Sequence, residues 1–226
     1  MLQLMRSPIH TAGLLEGASR NSDLEIQWRA KVVLDETAKP RNDLLYAAFV
    51  VINDQRMTGL AKPVLGTLPV CRSDHVRLAL SRALEATVTR EDEALLRLHL
   101  GAEQPEARVV AATALRRCLG DEADVHLLPL LEDSADSVEV AAAEILLPRQ
   151  PAKSLLTLAK LLKSESLSVR NRSIQLLRSS TNVDLPYSGY EPVEDRNKHA
   201  DAWQMAVKEH TEALEKATSA VDSKRD

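Results

Sequence analysis

The chain has 226 residues, a formal charge of -4, abundant Ala and Leu, and only 3% aromatic residues. That usage suits helices packed through small and aliphatic contacts, and it lacks the alternating Val, Ile, Tyr and Phe runs of a sheet protein. The acidic balance argues against a surface built to neutralise phosphates, which needs a dense Lys/Arg field, so nucleic acid is not the expected partner.

At the amino terminus, MLQLMRSPIH lacks the uninterrupted apolar core of a signal peptide. No stretch approaches the roughly 20 apolar residues that span a bilayer. The expectation is a cytoplasmic chain with no membrane contact. Cys71 and Cys118 stand far apart and in no metal spacing, so they read as reduced small hydrophobes. Residues 1–23, with Leu14 and Leu15, are expected to form an N-terminal capping helix.

Residues 24–178 repeat with a period of 31. Leu34, Leu65, Leu96, Leu127 and Leu158 make one column, and Leu84, Leu115, Leu146 and Leu177 make a second about half a period away. A third holds Leu100, Leu131 and Leu162, interrupted by Pro69 at the earlier unit. Apolar residues around both main columns recur at spacings of three and four, so each unit predicts two amphipathic helices. Polar turns separate them, several with Ser or Asp where a helix start wants a side-chain acceptor. Pro105 and Pro151 fall near helix starts, where a missing N–H costs nothing. Pro63, Pro69 and Pro129 predict kinked or shortened first helices.

After the repeats, residues 179–195 have the Pro, Gly, Tyr and Asp usage of a loop. Residues 196–217 read as a C-terminal capping helix, with Ala202, Trp203, Ala206, Val207 and Leu214 as its apolar stripe. Trp203, Tyr187 and Tyr190 are expected to close the last apolar face, since a stack of repeats needs capped ends; a peptide-docking pocket is the other reading of the tyrosines. Residues 218–226 are expected to be a disordered tail.

Near the start of each second helix, Arg77, Arg108 and Arg170 share one position, with Tyr46 and Glu139 standing there in two other units. Asp43, Asp74 and Asp136 lie three residues earlier. In this context SDHVRLALSRAL, QPEARVVAATAL and SLSVRNRSIQLL resemble the HEAT repeat family, including its short bacterial repeats. The resemblance implies an all-α fold, a right-handed α-α superhelix of about five helix pairs with capped ends. Second helices would line its concave side and first helices its convex side. The arginines have two readings: a ladder fixing repeat register through Asp43, Asp74, Asp136 and turn carbonyls, or a groove for an acidic partner segment.

No phosphate-binding Gly loop, GxSxG elbow or HExxH motif is present. The six histidines are scattered and none precedes Glu, unlike the His-Glu pairs that hold iron in HEAT-like deoxyhypusine hydroxylases. No catalytic residue, cofactor or metal is therefore expected. Outward positions of the second helices form a mixed polar strip: Arg82, Thr113, Glu144 and Gln175 in one column, with Glu85, Arg116 and Arg178 near another. Mixed strips suit protein partners. The expected function is a non-catalytic protein-binding scaffold; a HEAT-like glycosylase or bilin lyase, or a nucleic-acid-binding module, is the alternative.

Overall fold

The computed structural model describes residues 42–71 and 73–222, with side chains described through 214 and at 216. The expected N-terminal cap and the first part of the repeat region, to residue 41, lie outside the described residues.

All regular structure among the described residues is helical. In chain order the α-helices are α1 (Asn42–Gln55), α2 (Ala61–Gly66), α3 (Asp74–Thr87), α4 (Glu93–Leu100) and α5 (Pro105–Leu119). There follow α6 (Asp124–Leu127), α7 (Asp136–Leu146), α8 (Pro151–Leu161), α9 (Leu167–Ser180) and α10 (Val193–Asp222). Pro105 and Pro151 each open a helix at its first turn, where the orphan N–H is dispensable.

Breaks fall in first helices, although α8 is continuous, and proline accounts for two of them. Helix α2 ends at Gly66, and a 3₁₀ turn over Leu68–Val70 carries Pro69 in its first turn. Helix α6 is a single turn, followed by a 3₁₀ segment, Leu128–Glu132, that begins beside Pro129. A proline ring removes a donor and crowds the preceding turn, which the tighter 3₁₀ geometry tolerates.

Packing follows chain order. The second helices α1, α3, α5, α7 and α9 each lie against the next, α4 packs on α5, and α8 contacts α7, α9 and the final helix α10. The leucine columns form the seams. Leu65 and Leu96, Leu127 and Leu158 are buried, as are Leu84, Leu115, Leu146 and Leu177, all but Leu65 with no exposed surface. Leu131 and Leu162 are buried too, whereas Leu100 is half-buried against the same core. Alanines at 79, 83, 107, 111, 114, 142 and 143 let the second helices approach closely.

Three expectations need correction. Ser73 and Ser166 precede helices without bonding their first N–H groups; instead the side chains at 133 and 164 accept from the backbone two residues on, Asp133 from Ala135 (2.9 Å) and Ser164 from Ser166 (3.1 Å). A turn tied this way leaves the cap position in extended backbone. The final helix begins at Val193 and runs to Asp222, so residues 218–222 belong to it and not to a disordered tail. Its buried stripe is Ala200, Trp203, Val207 and Thr211, spaced by three or four, while Ala202 is exposed.

Candidate functional site

The position shared by Arg77, Arg108 and Arg170 faces the turn that precedes each second helix. In all three, Nη1 donates back to the carbonyl six residues earlier. Arg77 reaches Cys71 at 3.1 Å, Arg108 reaches Ala102 at 2.8 Å and Arg170 reaches Ser164 at 2.7 Å. Arg108 and Arg170 add the next carbonyl, Glu103 at 3.0 Å and Glu165 at 2.9 Å. A rigid fork with five donors fits this task, because one arm can satisfy the turn while the other reaches elsewhere.

The other arm reaches forward. Arg108 binds the carboxylate of Asp133 in the following turn with both oxygens, Nε at 2.9 Å and Nη2 at 2.5 Å, and both side chains are about nine-tenths buried. Burial alone would raise the carboxyl pKa of Asp133, but the Arg108 hydrogen bonds, the Ala135 N–H and the guanidinium charge outweigh it and hold the pKa below its ordinary value. Arg170 places Nε and Nη2 on the Gly189 carbonyl at 3.2 and 2.9 Å. A Cβ on Gly189 would stand 2.5 Å from Asn171 Oδ1 and 3.2 Å from Leu167 Cδ1, so a residue without a side chain lets this carbonyl come close.

At the junction where Glu139 replaces the arginine, the chemistry inverts. Ser164 now stands at the position of Asp133, and its hydroxyl donates to Asp136. Glu139 is buried and is bound by Lys160 Nζ at 2.5 Å. Asp74 pairs with Arg77 in its own helix while remaining 96% exposed. Asp43 lies in the first turn of α1, where Tyr46 occupies the arginine position and meets His75 edge-on.

The expected outward strip is only partly outward. Arg82 is exposed beside a shallow cleft of about 610 Å³ shared with Asp54, Arg56, Glu85 and Arg117. Thr113 is half-buried and donates to the Val109 carbonyl at 3.1 Å, a bond inside its own helix. Glu144 is bound by Arg172, which also donates to Gln175 at 2.9 Å, so these two strip residues are brought together. Arg116 must be corrected: it folds onto the turn after α5, reaching the Gly120 carbonyl at 2.9 Å and the carboxylate of Asp124. Arg178 spans to the Tyr187 carbonyl at 3.1 Å. Both lie near a helix C-terminus, where free carbonyls attract cations.

Of the residues expected to close the last face, Trp203 is completely buried and Tyr187 nearly so, its hydroxyl donating to the Leu162 carbonyl. Burial raises the Tyr187 pKa. Tyr190 does not take part. It is 77% exposed, held outward by a turn in which its N–H meets Ser188 Oγ at 3.3 Å.

Sequence reading missed Asp133, Ser164 and Arg172. The first two were visible in principle, since Cys71, Ala102, Asp133 and Ser164 form a column of their own at the 31-residue period; nothing in the pattern marks Arg172. First helices also present Val125 and Leu156 to solvent. Among the described residues no group of three or more His, Cys, Asp or Glu could hold a metal ion, and no helix is long and apolar enough to cross a membrane. Compared with known proteins, the chain matches no family model, no curated protein and no solved structure.

Proposed function

We propose that this chain is a HEAT-like right-handed α-α superhelix that acts in the cytoplasm as a non-catalytic scaffold for a protein partner. The observation that carries the reading is the row of junctions: three of the polar positions at 77, 108, 139 and 170 reach into the following unit or its turn, and the leucine columns beneath them are buried. Polar side chains used in this way hold helices in register. Arg108 and Arg170 act as a register ladder, and Trp203 with Tyr187 caps the last apolar face, because an uncapped stack would leave a large adhesive patch.

The remaining surface mixes charges of both signs, as along Arg82, Glu85, Glu144, Arg172 and Gln175. Alternating charge supports a protein partner, whose rim pairs polar groups around a few anchors, over a polyanion. Affinity capture from the native host with the wild-type chain and with Glu144→Lys and Arg82→Glu tests this. Partners retained by the wild type and lost by a strip variant of unchanged stability are the expected result. Turnover of a small substrate, or tight DNA binding that weakens steeply with salt, would replace the scaffold by an enzyme or a nucleic-acid-binding module.

A further inference from the structure

Three successive junctions can be compared at equivalent positions, and at one of them, Arg108 with Asp133, donor and acceptor bond directly. Arg108 faces Asp133, and a carboxylate accepts from a guanidinium. Glu139 stands in the next unit, where the residue equivalent to Asp133 is Ser164; it donates to Asp136, and Glu139 is bound by Lys160 instead. At the first junction the facing position is Ala102, which offers Arg77 no side-chain acceptor. Arg77 accordingly turns to the exposed Asp74 of its own helix, and among the described residues its Nε has no acceptor.

A cleft of about 510 Å³ opens where Ala102 stands, within the size range of ligand pockets. Its floor is apolar, formed by Leu65, Leu68, Pro69 and Ala107, and Arg77 supplies the cation. Ala102 lines the same cleft, so the space beside Arg77 corresponds to the space that the Asp133 side chain fills one unit later.

We propose that this cleft takes an acidic side chain from an extended segment of a partner protein, seated on Arg77 as Asp133 is seated on Arg108, with an adjacent apolar side chain on the leucine floor. The proposal rests on the scaffold reading and names its anchor. A partner carboxylate gains the bidentate geometry that Arg77 lacks with Asp74, whose side chain is almost wholly in water. Asp74 beside Arg77 and Glu106 at the cleft each add negative charge. They favour a singly charged carboxylate over a phosphate dianion.

The probe is the tripeptide Leu-Asp-Leu, acetylated and amidated at its ends, with Leu-Asn-Leu as its neutral counterpart. Both are titrated into the full chain while NMR follows the Arg77 Nε–H and the amides of residues 102–107. Leu-Asp-Leu should shift these signals and bind at least tenfold more tightly than Leu-Asn-Leu, and Arg77→Gln should abolish the difference. Ala102→Asp should supply the carboxylate from within, block the peptide and raise the melting temperature. Equal binding of the two peptides, no binding of either, binding kept by Arg77→Gln, or an Ala102→Asp chain that still takes Leu-Asp-Leu overturns the proposal. If Arg77→Gln keeps every partner captured by the wild type, the cleft is not the anchor, yet the scaffold stands. If the wild type proves to be an enzyme, the scaffold falls and the peptide titration still decides the cleft.

Discussion

Replacing Arg108 by Gln tests whether the junction bonds hold the fold together or only decorate it. The side chain makes four hydrogen bonds, two to Asp133 and two to the turn carbonyls of Ala102 and Glu103. Its partner is 9% exposed, so removal of the guanidinium leaves an uncompensated carboxylate beside a single backbone donor, the N–H of Ala135. Breaking a buried pair from one side costs about 3–5 kcal/mol, most of it the desolvation of the survivor. Arg108→Gln should therefore lose about that much in urea unfolding followed by far-UV circular dichroism. The double variant with Asp133→Asn should recover about 1–3 kcal/mol of the summed single losses. Arg77→Gln is the internal control, because its carboxylate partner Asp74 is almost wholly solvated, and it should cost about 1 kcal/mol or less. Equal losses at 77 and 108, or a loss under about 1 kcal/mol at 108, would refute the reasoning.

Asp133 also sets a pH dependence. Its pKa lies below the ordinary 3.8, so the stability it contributes is fully present above that value and fades as pH falls through the lower folded-state value; melting curves across the acid range should flatten in Asp133→Asn. Leu127→Ala removes a side chain with no exposed surface and should cost about 2–5 kcal/mol by urea unfolding. Deleting 195–226 uncovers the face of α8 on which α10 packs, so light scattering should show association where the full chain does not associate. Gly189→Ala should lower the melting temperature by crowding Asn171, and Asn171→Ala in the same chain should restore part of it.

The interior was legible because periodicity reports burial directly. A residue that recurs at the same place in each unit meets the same neighbours, and the columns at 65, 96, 127 and 158 and at 84, 115, 146 and 177 are buried. Proline at 69 and 129 likewise marked the shortened first helices, because its ring acts locally. Polar roles were harder to read. Arg116 occupies an outward column yet folds onto Gly120 and Asp124, since a flexible stem near a helix end finds free carbonyls that no repeat register encodes. Tyr190 was read as part of the cap from its composition alone, but only Tyr187 has a carbonyl within reach of its hydroxyl. The stripe of α10 was misplaced by two residues at Ala202, because alanine marks either face of a helix equally well.

Acid should act unevenly along the row of junctions. Every acceptor of Arg170 is a peptide carbonyl, from Ser164, Glu165 and Gly189, and such oxygens gain no proton at any pH a protein survives. The contact that ends the row is therefore indifferent to acidification, whereas the Arg108 contact depends on a group that can be neutralised. The Arg108 contact between α5 and α7 should therefore loosen before the Arg170 contact where α9 meets the loop that leads to α10, a difference that amide hydrogen exchange at falling pH would display.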